Sequence, residues 1–343
     1  MTVVVLSDHG TYLGSSKEQF KISFGMSDKP LTYIPAIKVQ GIIVDANITI
    51  SSGAFKLLRH YGIPVIWQDF TDDGLILQPF NNHGSVEVRR AQYEALDDTR
   101  GIVVAAKFVY AGCMNKLTLL RRLQRQGYDD EIVTYSIRTI SDKIQEFTNQ
   151  SETYGKLDYD LRQQLMNTEA VITKQYFQVL QQILGSAGWE FSSRSRRPAE
   201  DPFNALLNYS YAVLRGQLTQ FTTISGLDMY GGFLHTDRSG RESLVLDLIE
   251  EFRQVAVDEL LLQLILKKKL ALEAFEETTD GIIITKEIKE VLMPSFFAHL
   301  DSIYQHQSLR AWMINQPREL SNYLRGFVPT YQPFLLQVGD QWA

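Results

Sequence analysis

The spacing of apolar residues changes near residue 84, and this change constrains the fold more than any other feature of the sequence. Before it, apolar stretches are short, rich in valine and isoleucine and separated by Gly, Asp or Asn, which is typical of strands. After it, apolar residues recur three and four positions apart over much longer stretches, which is typical of amphipathic helices. The sequence therefore predicts an α+β protein, with a β-rich N-terminal domain over residues 1–84 and a larger all-α domain over residues 85–343.

Local signals predict where several elements begin and end. A serine N-cap at Ser51 predicts one helix, and Asp201 followed by Pro202 predicts the start of another. Residues 81–84 form a polar, turn-prone break and are the predicted domain linker. The segment GIIIT from Gly281 fits either a short strand or a loop. Strands are predicted at TVVVLS, QFKISF, AIKVQGIIV, NITI, IPVIWQDF and GLILQPF.

Composition excludes several classes of protein. The chain of 343 residues has one cysteine, Cys113, which rules out an internal disulfide and a multi-cysteine zinc site. Cys113 is predicted to fill an apolar core. No apolar run reaches the roughly 18 residues of a membrane-spanning helix, and the start, MTVVVLSDHG, lacks the basic region of a signal peptide. The sequence therefore predicts a cytoplasmic protein.

The distribution of charge argues against a simple nucleic-acid-binding protein but leaves room for local DNA contacts. The formal net charge is −6, whereas nucleic-acid-binding domains are usually basic. Residues 85–125 nevertheless hold eight Arg and Lys against four acids, and residues 241–290 hold twelve acids against seven bases. The basic cluster at 85–125 contacts either DNA or solvent. Within it, Arg121, Arg122 and Arg125 are predicted to be solvated.

A histidine and three carboxylates form the strongest candidate for a chemical site. The run GGFLHTDRSGRESLVLDLIEEFR places His235 in a glycine-flanked turn and predicts a following helix on which Asp247 and Glu250 share one face. Glu169 lies on an earlier predicted helix. Carboxylate oxygens with one imidazole suit a hard divalent cation such as Mg²⁺ or Mn²⁺, and the histidine favours Mn²⁺. The thiolates that structural zinc sites favour are missing.

Each of these residues also has a purely structural explanation. Glu169 can lie on a solvated helix surface, and His235 can be an ordinary turn residue. The two later carboxylates can form an exposed acidic face that continues to Glu251 and Arg253. The residue pattern by itself leaves these alternatives open.

Three blocks of sequence carry a resemblance to a known family. The first combines Glu169 with the run from His235 to Glu250. The second is RSRRPAEDPFNALLNYSYAVL, in which basic residues lead into an Asp-Pro-x-Asn motif, and the third is GLDMYGGFLH, which ends at the same histidine. Together they resemble the metal-dependent nuclease and integrase family of CRISPR adaptation, called Cas1. The resemblance extends over nearly the whole chain.

The resemblance implies a site and a reaction. Glu169, His235 and Glu250 would hold Mg²⁺ or Mn²⁺ and act as the catalytic residues. Asp247 would support them through a hydrogen bond or join them as an occasional ligand. In the family, the 3′-hydroxyl of a short DNA attacks a phosphodiester at a repeat boundary, so the reaction is a transesterification, with hydrolysis as a side reaction. The predicted DNA-binding residues lie in the second block and are Arg194, Arg196, Arg197, Asn204 and Tyr211.

These DNA-binding residues have alternatives as well. The three arginines can form a basic loop without a function, and Asn204 can satisfy the backbone of a neighbouring loop. The sequence also departs from the family pattern in two places. Residues 167–170 read Asn-Thr-Glu-Ala where the family favours Gly-x-Glu-Gly, and residues 112–116 keep Asn115 but lack the family's lysine and glutamine at their expected positions. These departures predict altered helix packing and altered DNA contacts.

The resemblance also implies partners. They are double-stranded DNA, a second copy of the chain joined through the β domains, and a second CRISPR adaptation protein that is a small ferredoxin-like dimer. No membrane is involved. Two other functions are compatible with the sequence. One is a stand-alone integrase or nuclease that acts on branched DNA, and the other is a DNA-binding scaffold without catalysis.

Overall fold

The chain folds into a strand-rich unit and a helical unit. The computed structural model describes residues 2–6, 8–25, 30–44, 46–67, 75–77, 85–151, 158–279 and 281–339. The two compact units are Met1–Ser85 and Val86–Ala343. The change from strands to helices confirms the predicted α+β class. The predicted linker at residues 81–84 lies outside the described residues, and the dimerisation and catalytic roles of the two domains stay predictions.

The N-terminal unit contains two sheets. Its described strands are β1 (Thr2–Leu6), β2 (Thr11–Ser16), β3 (Gln19–Ser23), β4 (Thr32–Pro35), β5 (Val39–Val44), β6 (Ile48–Ile50), β7 (Val65–Trp67) and β8 (Leu75–Leu77). One sheet has the order β1-β5-β7-β8 and is parallel except for β8; the other has the order β4-β3-β2-β6. Strands β2 and β4 were not predicted: TYLGSS holds one β-branched residue, and TYIP is only four residues long and ends in proline.

The helix of this unit begins and ends as its caps predict. Helix α1 spans Ser52–Tyr61, and the Ser51 hydroxyl accepts a hydrogen bond from the Ala54 N–H at 3.1 Å. Gly62 ends the helix with a left-handed φ of 64°. Leu58 on the buried face of α1 packs into the apolar core that the strands supply.

The second unit is helical. Its described helices are α2 (Ser85–Ala95), α3 (Thr99–Arg125), α4 (Glu131–Ser151), α5 (Tyr159–Ser186), α6 (Pro202–Ile224), α7 (Ser243–Leu248), α8 (Glu259–Leu266), α9 (Lys286–Leu300) and α10 (Leu309–Leu324). Two short antiparallel hairpins accompany them: β9 (Phe275–Thr278) with β10 (Gly281–Ile284), and β11 (Ile303–Tyr304) with β12 (Gln307–Ser308). The segment from Gly281 is therefore a strand. Asp201 caps α6 as predicted, because its carboxylate accepts the Asn204 N–H at 2.7 Å.

Helix α3 is the core helix of the second unit and packs against α4 and α5. Among the described residues it is the one helix long and apolar enough to cross a membrane, but 78% of its most apolar window is buried inside the protein. Such burial is typical of a core helix. Cys113 of α3 is buried, and burial raises the pKa of its thiol to about 12, which agrees with the predicted core role. The cytoplasmic location stays a prediction.

The chain that follows the candidate histidine differs from its predicted form. A single regular helix was expected, whereas α7 is followed by a 3₁₀ turn at Ile249–Glu251, a π-helical turn at Arg253–Asp258 and then α8. π-helical turns are rare and frequently occur at functional sites. The buried polar residues along this stretch are Ser243, Asp247, Glu250, Glu251, Gln254, Asp258, Glu259 and Gln263. The changes of helical pitch turn these side chains toward partners on different elements.

The segment after α10 is fastened to this irregular stretch and to α3. The Glu251 carboxylate accepts the Phe334 N–H at 2.7 Å and the Tyr331 hydroxyl. Asn115 of α3 accepts the Leu336 N–H at 2.7 Å and donates to the backbone oxygen of Phe334 at 3.2 Å. Because all four contacts are buried, a segment without regular secondary structure forms part of the core next to the Glu250 turn.

We expect Glu251 to make the stability of the protein fall as the pH rises. Burial raises the pKa of the Glu251 carboxyl from 4.5 to about 8, against the opposing effect of its two hydrogen-bond donors. Because the pKa of Glu251 is higher in the folded chain than in the unfolded chain, its contribution to the free energy of unfolding is fully present below pH 4.5. This contribution is lost as the pH rises through about 8. Urea denaturation across that range should show this slope in the wild type and lose it in Glu251→Gln. Exposed Glu190→Gln should keep the wild-type slope, and an unchanged slope in Glu251→Gln would contradict the assignment.

Candidate active site

The three predicted ligands come from three separate elements. Glu169 lies on α5, His235 lies in the loop between α6 and α7, and Glu250 lies in the 3₁₀ turn. Helix α3 contacts both glutamates. Lys116 of α3 forms an ion pair with Glu169 at 3.0 Å, and a Cβ added to Gly112, one turn earlier, would lie 3.5 Å from the Cβ of Glu250.

Glu169 is held as a carboxylate by a buried cation. Its Oε1 accepts hydrogen bonds from the Lys116 ammonium and the Thr173 hydroxyl. Burial raises the pKa of Glu169, but Lys116, Thr173 and Arg253 together outweigh burial and lower the pKa to about 2. Glu169 is therefore ionised at neutral pH.

Glu250 has its own cation three residues along the chain. Arg253 at the start of the π-helical turn lies 3.0 Å from Glu250 Oε1. Burial lowers the pKa of Arg253, but the nearby carboxylates, led by Glu250, raise it overall. Lys116 behaves alike, because Glu169 and Glu250 offset the effect of its burial and raise its pKa. Two carboxylates, the buried Lys116 and the half-buried Arg253 thus form one charge-balanced cluster.

The loop that carries His235 is organised around Asp247. The fully buried Asp247 carboxylate accepts the backbone N–H groups of Phe233, Leu234 and His235 at 2.6, 2.9 and 2.9 Å. It also lies 2.7 Å from His235 Nδ1. A carboxylate on Nδ1 favours the proton there and leaves Nε2 as the atom with a free lone pair. With both oxygens used in this way, Asp247 supports the histidine, and nothing in these contacts favours its role as a ligand.

The free donor atoms of the site fit a divalent cation. Glu169 and Glu250 each use Oε1 for a cation, while Oε2 of each and Nε2 of His235 accept no hydrogen bond from the described residues. An imidazole whose second nitrogen bonds to a carboxylate is the usual form of a histidine ligand. Within the described ranges, no three His, Cys, Asp or Glu side chains converge as a metal cluster in this conformation. The donor atoms are of the kind that a divalent cation binds. The assignment of Glu169, His235 and Glu250 as its ligands stays a prediction.

A buried carboxylate behind Arg253 ties three helical segments together. Asp258, at the end of the π-helical turn, accepts the hydroxyls of Tyr211 on α6 and Tyr176 on α5 at 2.5 and 2.8 Å. The ring of Tyr211 lies 4.9 Å from the Arg253 guanidinium and 5.7 Å from that of Arg194. Such distances are typical of cation–π contacts, so Tyr211 positions both arginines.

The sequence matches one known family over most of its length. The match is to the family described as CRISPR associated protein Cas1, over residues 4–297. The chain belongs to the Cas1 family. A relative from Archaeoglobus fulgidus, named CRISPR-associated endonuclease Cas1 1, is 28% identical over 337 residues, which cover 94% of this chain and 96% of the relative.

Solved structures of Cas1-like proteins share the fold. A casposase bound to integration product superposes with a TM-score of 0.76 at 20% identity, covering 99% of this chain and 94% of that one. A Cas6-RT-Cas1–Cas2 complex gives 0.77 at 19% identity and covers 99% of this chain, which spans 36% of that longer chain. At these identities the likeness establishes the fold alone.

In this Cas1 protein, two charged residues of the site were missed at the sequence level. Lys116 lies in an apolar stretch of α3, and a lone charge in such a stretch was the one sequence signal that could have pointed to it. One alternative placed Glu251 and Arg253 on an exposed acidic face, and it is wrong because Glu251 is fully buried and the half-buried Arg253 forms an ion pair with Glu250. The prediction that Arg122 is solvated is also wrong, because Arg122 is buried and forms an ion pair with Glu259 at 3.0 Å.

The predicted DNA-binding residues of this Cas1 protein fall into two groups. Arg194 donates to the side-chain oxygens of Asn204 and Asn208 at 2.9 and 2.7 Å. Asn204 is fully buried and donates to the backbone of Ser193 at 2.8 Å, so it satisfies a loop, and a direct DNA contact by Asn204 or the buried Tyr211 conflicts with this burial. The remaining two residues, Arg196 and Arg197, are exposed.

Proposed function

We propose that this Cas1 protein joins DNA by a divalent-metal-dependent transesterification at Glu169, His235 and Glu250. Membership of the family gives the chain its broad function, an endonuclease and integrase of CRISPR spacer acquisition. The observation that carries the proposal is the Asp247–His235 pair, which leaves Nε2 of the histidine free, together with one free oxygen on each of the two glutamates. Mg²⁺ and Mn²⁺ both suit this donor set.

The metal ion and the surrounding residues would have different roles at such a site. When bound, the metal ion would activate the attacking hydroxyl and neutralise charge on the phosphate. Lys116 keeps Glu169 ionised, and Lys116 and Arg253 each fix one oxygen of the glutamate that they contact. Asp258 fixes the Tyr211 ring on which Arg253 lies. These contacts restrict the side-chain motion of the proposed ligands, which is the main way in which a protein assists phosphoryl transfer.

The proposed partners are DNA and a second protein. Neighbours described as a casposase bound to integration product and as a complex of Cas1 with Cas2 support this proposal. We further propose a homodimer formed through the β domains and a small ferredoxin-like partner dimer, as the family resemblance implies. In this arrangement the length and shape of the DNA would contribute to specificity.

Strand transfer tests this proposal. A labelled short duplex with free 3′-hydroxyls is incubated with a supercoiled plasmid that carries a repeat, in Mn²⁺ or Mg²⁺ or with a chelator, and with or without the partner protein. We expect joined product that needs the metal and increases with the partner. Joining that is independent of the partner and prefers branched DNA would favour the stand-alone enzyme. DNA binding without any joining or cleavage would favour the scaffold.

We expect Arg196 and Arg197 to contribute phosphate contacts to DNA binding. Both are exposed, and each lost contact should lower the slope of log affinity against log salt by about 1. The double variant Arg196→Ala/Arg197→Ala should therefore lower that slope by about 2, with a similar loss of affinity on every sequence. Fluorescence anisotropy over a salt series measures this slope. Exposed Arg318→Ala is the matched control, and a wild-type slope in the double variant would contradict the prediction.

A further inference from the structure

The loop that presents His235 depends on partners from outside itself. Residues 226–237 have no helix or strand, so their backbone groups need hydrogen bonds from other segments. Asp247 supplies acceptors for the second half of the loop. Arg162 of α5 donates to the backbone oxygen of Phe233 at 3.0 Å. The first half of the loop is held by α2.

One fully buried glutamine on α2 makes most of these contacts. The Nε2 group of Gln92 donates to the backbone oxygens of Asp228 and Gly231 at 2.8 and 2.7 Å, and its Oε1 accepts the Asp228 N–H at 2.8 Å. These three bonds use both N–H donors and the carbonyl of the amide. Only an amide side chain can donate to two carbonyls and accept from an N–H at one place.

The surroundings of Gln92 match this role. A Cβ added to Gly231 would lie 3.0 Å from Gln92 Nε2, so a side chain at this position would push the glutamine by a few tenths of an ångström. The neighbouring Tyr93 donates its hydroxyl to the Asp228 carboxylate at 2.8 Å, and the other oxygen of Asp228 accepts the Tyr230 N–H at 2.9 Å. Both ends of the turn between Asp228 and Gly231 are therefore fixed to α2.

We propose that Gln92 is a positioning residue for the Cas1 reaction, which holds the Asp228–Gly231 turn and thereby sets the place of His235. This inference rests on the proposed function, because it gives His235 a role at the reacting site. Gln92 contacts only the loop backbone, and its contact nearest to the histidine is Gly231, four residues before His235. Its effect on the reaction therefore passes through His235.

Full-length Gln92→Met tests the inference, because methionine keeps the length of the side chain and removes all three hydrogen bonds. The matched control is Gln217→Met on α6, since Gln217 is also fully buried and its amide has no hydrogen-bond partner among the described residues. We expect Gln92→Met to lower the kcat of strand transfer and the affinity for Mn²⁺ alone by about tenfold or more. KM for the DNA should stay unchanged, and added Mn²⁺ should restore part of the rate. Gln217→Met should match the wild type.

The other outcomes separate the inference from the proposed function. A folded Gln92→Met with wild-type kcat and Mn²⁺ affinity, beside an inactive His235→Ala, overturns the inference alone. Wild-type activity and Mn²⁺ binding in His235→Ala overturn the proposed function. If Gln92→Met fails to fold, Gln92→Glu replaces it as the test variant. Glutamate keeps the oxygen that accepts the Asp228 N–H, and it places its second oxygen against the backbone oxygens of Asp228 and Gly231. The same losses of kcat and Mn²⁺ affinity support the inference, and wild-type values overturn it.

Discussion

Replacing Glu250 by Gln should lower the rate of strand transfer about a thousandfold. The change removes one of the two carboxylates proposed to hold the metal, whose stabilisation of the transition state amounts to several kcal/mol, and each 1.36 kcal/mol corresponds to a tenfold change in rate. Glu169→Gln should have a similar effect, because Glu169 is the other carboxylate and its pKa of about 2 keeps it ionised. The measurement is the single-turnover rate of joining at saturating Mn²⁺, per folded protein.

An exposed glutamate provides the control for these variants. Glu287→Gln makes the same chemical change on the surface of α9 and should keep the wild-type rate. If Glu250→Gln and Glu169→Gln both join DNA at the wild-type rate, the reaction does not use these carboxylates and the proposed site is wrong. If only one of them is inactive, the metal assignment is limited to that residue.

Replacing Asp247 by Asn should damage both the fold and the activity. Asp247 accepts three buried backbone N–H groups and pairs with His235 Nδ1. Asparagine retains one acceptor and turns a donor toward groups that themselves donate, and each buried donor left unsatisfied costs about 1–3 kcal/mol. We therefore expect a loss of about 3 kcal/mol in the free energy of unfolding, because parts of the loop relax toward water. Strand transfer should fall at the same time, since His235 loses its orientation.

An aspartate in the loop that Asp247 supports makes this prediction specific. Asp237 is exposed and accepts one hydrogen bond, from the Gly232 N–H at 3.2 Å. Asp237→Asn should change the free energy of unfolding by less than about 1 kcal/mol, as is usual for an exposed hydrogen bond. Urea denaturation of both variants measures the difference. Equal losses in the two variants would show that the Asp247 contacts are no stronger than one surface contact.

The type and order of the elements could be predicted because their signals are local. The caps at Ser51 and Asp201 depend on side-chain contacts three residues away, and both helices begin where these residues predict. The family blocks also depend on spacing along the chain. The change from α-helix to 3₁₀ and π-helical turns after Leu248 was missed, because SLVLDLIEEF has the apolar spacing of an ordinary helix.

The sequence by itself determined the order of strands and helices and the set of candidate ligands, whereas the tertiary structure decided which charges are buried and what each one contacts. Arg253 and Asp258 have the same sequence signature as solvated surface residues, and the lone charge of Lys116 in an apolar stretch does not reveal its partner. Their partners come from distant parts of the chain, as Tyr176 and Asp258 illustrate with a separation of 82 residues. Burial of a charge depends on which segments pack over it, and the stabilising partner must arrive with those segments. Periodicity along one segment carries no information about that packing.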